Sequence, residues 1–339
     1  MVPRPKIRHP ARTLQIQTQM CSLAGRDIAT TLINMEVSLP FITVVVPHRG
    51  PIKQLEQCIS ALNRQTYPRD RFEILVVING PVSQTARFDS QPNVKVLGQS
   101  TGYSYAARNK AITEAKGSMI GLLDSDTKPD PHWLEAGAEA MSIGSGLVAG
   151  RIKLTFRTSP LSPSACYEKM FSFDQEKNVR IGRSVTANLF VQSNLFVEYG
   201  LFAQDAVSGE DFAWTSRAVL SGEKLTYASN IVVEHPARET LWELLIKAKR
   251  DANIFVEGGG LREHMRLAFS RWKSRYLVSP SQQRIADCSP RELILGASMG
   301  LVIQLMKASI FLFGLVHRAL QEPGKLTHFR RRPLPPFRK

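Results

Sequence analysis

Short apolar runs alternate with stretches of helical spacing through the first half of the chain. FITVVVP at 41–47 is β-branched and ends near a proline, which suits a strand buried on both faces of a parallel sheet. Leu55, Cys58, Ile59 and Leu62 follow at helical spacing and stop before Tyr67-Pro68. FEILVVI at 72–78 predicts a second buried strand, closed by the turn dipeptide Asn79-Gly80. A short third strand is expected at 94–97. Ala107, Ala111, Ile112 and Ala115 then mark a helix stopped by Gly117, and SMIGLL at 118–123 makes a fourth strand. Strand–helix alternation with short connections predicts an α/β fold, a mainly parallel sheet flanked by helices. In such sheets ligands gather beyond the carboxyl ends of the strands. Those ends are Pro47-His48-Arg49, Asn79-Gly80 and Asp124-Ser125-Asp126.

The pattern loosens in the second half. Strands are expected at 150–156, 186–191 and 227–234, the last interrupted at Ser229-Asn230. Helices are expected at 166–173, at 211–220 behind Gly209-Glu210, and at 240–255, where the helix is basic and amphipathic. Residues 293–316 are almost continuously apolar, broken by Gln304 and Lys307. As a helix this run would reach about 36 Å, enough to cross a hydrocarbon layer of roughly 30 Å. Gly296, Gly300, Gln304 and Lys307 nevertheless form one weakly polar face, and both flanks are basic, with Arg284 and Arg291 before and Arg318 and residues 330–332 after. A single span would put one basic flank outside. The run is therefore read as a helix lying in the cytoplasmic leaflet, with packing on the soluble domain next and a true span third.

This pattern divides the 339 residues into three parts. Residues 1–38 form a basic flexible arm. Residues 39–256 form the α/β domain, with halves at 39–130 and 131–256. Residues 257–339 form a helical, membrane-associated extension with a basic tail. Lys plus Arg number 44 against 29 Asp plus Glu, a net charge of +15. Such a charge calls for a polyanionic neighbour. Because much of it sits at the two ends, an anionic membrane surface is expected rather than a nucleic-acid groove. The four cysteines are scattered with no CxxC pair, which argues against a zinc site or disulfide framework and fits a reducing compartment. Cys58, on the apolar face of a helix, reads as a small core residue. The N-terminus lacks the apolar core of a secretory signal, so the expected location is the cytoplasm, at the inner face of the cell membrane.

The most informative chemistry is acidic. If the fourth strand continues through Asp124-Ser125-Asp126, both carboxylates point to one face. Two like charges so close call for a cation, and oxygen ligands suit Mg²⁺ or Mn²⁺ gripping a substrate diphosphate. A second acidic pair, Glu210-Asp211, opens a helix. Capping explains one carboxylate there; facing the metal site, Asp211 could instead accept a proton from an attacking hydroxyl.

Taken together, ITVVVPHRGPIKQLEQCISALNRQTYP, RFEILVVINGP, AARNKAITEAKGSMIGLLDSD, TANLFVQSNLFVEYGLF and SGEDFAWTSRAVLSGEKLTYASNIVVEHPAR resemble the family 2 inverting glycosyltransferases of GT-A fold. They occur in the family's order and cover about residues 41–255. The resemblance implies a GT-A-type, Rossmann-like sheet, mixed but mainly parallel and flanked by helices, with a C-terminal helical extension. Only this resemblance of their motifs identifies 39–130 as a nucleotide-binding half and 131–256 as an acceptor half. It also implies a metal-dependent transfer from a nucleotide-sugar donor, with a UDP-sugar expected. The basic ends and the apolar segment in turn suggest a lipid-linked or glycan acceptor hydroxyl at the membrane. Asp126 looks like the family's direct metal ligand and Asp124 lies nearer the ribose. Asp211 is similar to its catalytic base, with Glu210 supporting that base or contacting acceptor. Pro47 and Arg49 fall where the family's first strand-end loop borders the nucleotide. Arg108 and Asn109 match its ARN segment, nucleotide-binding or structural. Asn188 borders the acceptor side or is a buried hydrogen-bonding residue. His235 stands where a histidine often follows the last core strand, as a third metal contact or a structural ring.

Two departures matter. Where many members end the second strand with an acidic residue that contacts the base, this chain has Ile78-Asn79-Gly80; Asn79 can still pair with a base edge. The QxxRW motif of processive members is missing, with only Trp242 and Lys249-Arg250 as a loose echo, so a synthase with a built-in channel is not expected. The alternatives from other classes are a sugar nucleotidyltransferase and a non-catalytic basic protein that binds polyanions or membranes. The first lacks its glycine-rich loop, because PHRGPIKQ stands there. The second leaves the acidic pairs unexplained.

Overall fold

Eight strands among the described residues form one sheet: β1 (Ile42–His48), β2 (Phe72–Asn79), β3 (Val94–Gln99), β4 (Met119–Leu123), β5 (Lys128–Pro129), β6 (Leu147–Thr155), β7 (Asn188–Gln192) and β8 (Leu225–Pro236). Their order is β3-β2-β1-β4-β7-β6-β8-β5. The computed structural model describes residues 39–79, 88, 91, 93–99, 102–253 and 280–321. By contact the chain divides into Met1–Pro40 and Phe41–Lys339, and everything below concerns the second unit. The expected arm at 1–38 and the boundary at 256 fall outside the described residues.

The expected strand–helix alternation is present. β1 pairs in parallel with β2 and β4, and β2 with β3. All seven residues of β1 are buried, and alternation sends their side chains to two cores. Val44 and Val46 join Leu55, Ile59 and Leu62 of α1 (Ile52–Leu62) on one face. Val45 joins Val77 with Ala107 and Ala111 of α2 (Ser104–Glu114) on the other. α3 (Trp133–Ser142) was not foreseen; its Trp133 stacks on Phe190 at 4.5 Å.

The second half makes the sheet mixed. β7 runs antiparallel to both β4 and β6, while β8 returns parallel to β6. The interruption expected at Ser229-Asn230 is a register shift, because Gly150 faces Ala228 but Arg151 faces Val232. Asn188 fills that irregularity. Its amide donates to the carbonyls of Arg151 (2.9 Å) and Ile231 (3.0 Å), and its oxygen accepts from Trp133 Nε1 (2.9 Å). Fully buried, it is the hydrogen-bonding alternative rather than an acceptor contact.

Six further helices complete the description: α4 (Pro163–Phe171), α5 (Gln175–Arg180), α6 (Asn194–Glu198), α7 (Glu210–Leu220), α8 (Leu241–Asn253) and α9 (Gln282–Ala286), followed by the long α10 (Pro290–Gln321). Ser162 caps α4 by accepting from the Ala165 amide (3.1 Å). The apolar run is thus one continuous helix. Within it, Pro290–Ile310 is long and apolar enough to cross a membrane by length and composition. One side of α10 packs on the domain, Ile303 meeting Leu244 and Ala248 of α8. The other side exposes Ile294, Leu301, Leu305 and Leu312. Arg284, counted above among the flanking cations, turns inward. Its guanidinium donates to the carbonyls of Lys169 (2.9 Å), Ser172 (2.7 Å) and Phe173 (3.0 Å) at the end of α4.

Close approach of α10 to α4 depends on Gly296. A Cβ there would lie 2.3 Å from Met170 Sδ and 3.0 Å from the Cys166 carbonyl, whereas one at Gly300 would meet Phe171 at an ordinary 3.5 Å. Replacing a helical glycine by alanine ordinarily gains about 1 kcal/mol. Gly300→Ala should therefore raise the melting temperature. Gly296→Ala should lower it and speed amide exchange across α10, and equal melting shifts in the two variants would contradict this packing.

Candidate active site

The strands deliver their polar ends to one edge. Register sets Pro47 opposite Val77 and Val45 opposite Leu122, so His48-Arg49, Asn79 and Asp124 emerge side by side. They open into a cleft of about 1510 Å³. Pro47, Arg49, Asn79 and Arg108 line it, as do Asp124, Asp126, Asp211 and His235. Residues distant in the chain therefore share one cavity.

β4 stops at Leu123, where the sequence placed the strand end, and it does not run on through the acidic triplet. The Asp124 carbonyl accepts from the Thr127 amide (3.2 Å) and hydroxyl (2.7 Å), which folds residues 124–127 into a turn. The turn still brings the carboxylates together: ligand atoms of Asp124, Asp126 and His235 all lie within 4.8 Å of one another. Arg108, 4% exposed, reaches from α2 to Asp124 at 2.5 Å. Its Nε has no hydrogen-bond partner among the described residues. Cys58 lies beneath the turn, Sγ 3.9 Å from the Asp124 carbonyl. Burial pushes its thiol up to about 12, so it is an inert part of the floor.

His235 faces Asp126, with Nε2 3.6 Å from the carboxylate. Its Nδ1 lies 2.8 Å from the Pro236 carbonyl. A carbonyl only accepts, so Nδ1 carries a proton and Nε2 is the nitrogen turned towards Asp126. A ring whose other nitrogen donates to a backbone carbonyl is the usual arrangement of a metal-binding histidine. Two carboxylates and this imidazole thus fit Mn²⁺ or Mg²⁺. The ring stacks on Phe173 at 4.3 Å, and Phe173 holds a left-handed backbone, φ 55°, uncommon for a bulky residue.

Asp211 sits across the cleft at the start of α7, after Gly209, whose φ of 80° suits glycine. Burial raises its carboxyl above the ordinary range. Opposing that rise are the Phe212 amide (2.9 Å), the charge of Arg108 and the Tyr105 hydroxyl (3.1 Å). Glu210 does not line the cleft. Its Oε1 accepts from the Ala203 amide (3.1 Å) and lies 3.9 Å from Arg217, which fixes the loop leading to Asp211. Asn109 likewise serves the backbone, exchanging hydrogen bonds with Phe202 in both directions (2.7 and 3.1 Å). Asn79 donates to the Gly102 carbonyl.

Two residues were not singled out from the sequence. His48 Nδ1 meets the Ser125 hydroxyl at 2.9 Å, and burial lowers its pKa, so the ring is neutral beside the acidic turn. Its place at a strand end was the available signal. Tyr105 bonds Asp211 from 106 residues away; its only signal was a place one helical turn before Arg108.

Comparison with known proteins supports the same fold and chemistry. The sequence model described as Glycosyl transferase family 2 matches residues 43–186. Glycosyltransferase AglE of Haloferax volcanii is 32% identical over 224 residues, 64% of this chain and 73% of that protein. Among solved structures, S. aureus TarS 1–349 in complex with UDP-GlcNAc has a TM-score of 0.50 at 16% identity, covering 83% of this chain and 92% of that one. The mannosyltransferase PcManGT of Pyrobaculum calidifontis, in complex with GDP-Man and Mn²⁺, also scores 0.50 at 16% identity, covering 84% and 88%. The two structures show a shared GT-A fold, and with the sequence relationship they establish that this chain belongs to glycosyl transferase family 2 and is a glycosyltransferase.

Proposed function

We propose that the protein is a metal-dependent, inverting glycosyltransferase that moves a sugar from a nucleoside diphosphate donor, a UDP-sugar first among those to test, to a hydroxyl of a lipid-linked or glycan acceptor. The observation that carries this reading is the meeting of Asp124, Asp126 and His235 with Asp211 in one cleft, Arg108 within electrostatic reach of both Asp124 and Asp211. Asp126 and His235 would hold the divalent cation, with Asp124 beside them. When bound, that cation neutralises charge on the departing diphosphate. Asp211 takes the proton from the acceptor hydroxyl as it attacks the anomeric carbon from the face opposite the nucleotide. One displacement with no enzyme-bound sugar gives inversion. Asn79, Pro47 and Arg49 border the nucleotide, and Glu210 positions Asp211 through its loop.

The exposed apolar side of α10 and the basic residues at 330–332 support a place at an anionic, cytoplasmic membrane face. That setting favours an acceptor carried on a lipid, as in stepwise assembly of a surface glycan.

Asp211→Asn should lower turnover by about a hundred- to ten-thousand-fold while donor binding, followed by calorimetry, stays near that of the parent; undiminished turnover refutes the base. Chelation by EDTA should stop donor turnover in the parent, and Mn²⁺ or Mg²⁺ should restore it. Asp126→Ala should respond to neither ion, and full activity in EDTA would remove the cation from the mechanism. The pH profile tests the acid–base assignment separately. Asp211 must be ionised to act, so activity rises with pH through its raised pKa. The Tyr105 hydroxyl stabilises the ionised form. Tyr105→Phe should therefore move the acidic limb of kcat to higher pH, and an unmoved or acid-shifted limb contradicts the contact.

A further inference from the structure

Away from the carboxylates the cleft wall becomes basic and apolar. Lys247 and Arg250 of α8 and Lys307 of α10 line it together with Gly300 and Leu301 of α10. Asp251 draws the cations together: Lys247 lies 3.0 Å from its carboxylate and Lys307 3.6 Å. The same carboxylate accepts from the Ser208 hydroxyl at 3.1 Å. Ser208 is three positions before Asp211, so the basic group is tied to the loop that presents the proposed base. Burial opposes ionisation of Asp251, but Lys247, Lys307 and Arg250 outweigh it and hold the carboxyl far below its ordinary range. Three cationic side chains thus surround one carboxylate. Arg250 is exposed and forms no ion pair with a described residue. Like charges gathered on a cavity wall repel one another, and a multiply charged anion relieves that repulsion.

Apolar surface adjoins the cations. Leu301 is 62% exposed and lies on the cleft rim, and Ile294, Leu305 and Leu312 continue from it along one side of α10 at spacings of seven, four and seven. A small free anion would use the cations and leave this stripe bare. An amphiphile with a phosphorylated head uses both.

We propose that Lys247, Arg250 and Lys307 form a phosphate-binding subsite on the acceptor side of the cleft, taking the phosphorylated head of an amphiphilic acceptor whose apolar chain leaves along Leu301 and Leu305 of α10. This rests on Asp211 as the base, because the head group held here brings the sugar or hydroxyl it carries towards that residue. No bond to phosphorus is made or broken in this subsite.

Dodecyl phosphate, kept below its micelle concentration, is a suitable probe, with dodecanol and inorganic phosphate as separate arms. Binding to the full chain is measured by calorimetry in EDTA, so that no metal bridges the probe to Asp126. The subsite predicts that dodecyl phosphate binds at least about tenfold tighter than either control. Arg250→Gln and Lys307→Gln should each weaken it by about tenfold, the usual loss for a charge-assisted hydrogen bond, with dodecanol binding unchanged. Equal affinity for dodecanol means apolar adsorption and overturns the proposal; equal affinity for inorganic phosphate means a free-anion site and does so too. Should Lys307→Gln unfold, the exposed Arg250→Gln decides, and unchanged binding in that folded variant sinks the subsite. Hydrolysis of nucleotide sugars by the parent with Mn²⁺ is scored separately. Its failure would count against the transfer mechanism, whereas the dodecyl phosphate comparison bears on the subsite alone.

Discussion

Gathering three carboxylates round one cleft is electrostatically expensive, and a buried guanidinium makes it tolerable. Arg108 lies against Asp124 and acts on Asp211 from the same position. In a half-buried site such pairs are screened far less than on an open surface. Its effects differ at the two acids because their surroundings differ. Asp124 forms a direct ion pair, whereas Asp211 is dominated by its own desolvation, which Arg108 only partly offsets. A poorly solvated carboxylate with a raised pKa is the form in which an aspartate is most useful as a base. The sheet supplies the rigidity: Arg108 comes from a helix packed on β1 and β2, and Asp124 from the end of β4 between β1 and β7.

How much of this was legible in the sequence follows from the kind of signal each part left. The parallel half could be read because β1, β2 and β4 are continuous apolar runs ending in polar residues, a local pattern that buried strands impose. Asp124, Asp126 and Asp211 stood out because charge at the end of an apolar element is rare without a use. The antiparallel direction of β7 was not legible, since it depends on pairing with β4 and β6 rather than on its own residues. α3 was not read from the sequence, although Trp133, Leu134, Ala138 and Met141 mark its buried face. The acidic triplet was placed at the end of a strand, where hydrogen bonds from Thr127 turn the chain. The duller reading of Asn188 prevailed because a register shift left carbonyls for it to satisfy. Membership of the transferase family also sets aside the nucleotidyltransferase and non-catalytic alternatives.

α10 serves two environments at once. The side with Gly296 and Ile303 is shaped to the domain, while the side with Leu305 and Leu312 has the composition of a lipid-facing surface. The weakly polar face of Gly296, Gln304 and Lys307 argued in sequence against a simple span. Only the packing shows which half is already used, and Arg284, turned inward beneath α4, shows that a cation near such a helix need not be an anchor.

The hydrogen bond from Ser208 to Asp251 has a practical consequence. Trimming the C-terminal helix to obtain a better-behaved preparation would take Lys307 from the carboxylate that secures the loop in front of Asp211. The shortened enzyme would keep every side chain proposed for catalysis and yet lose part of the bracing behind Asp211, so its turnover would be a poor guide to that of the intact chain.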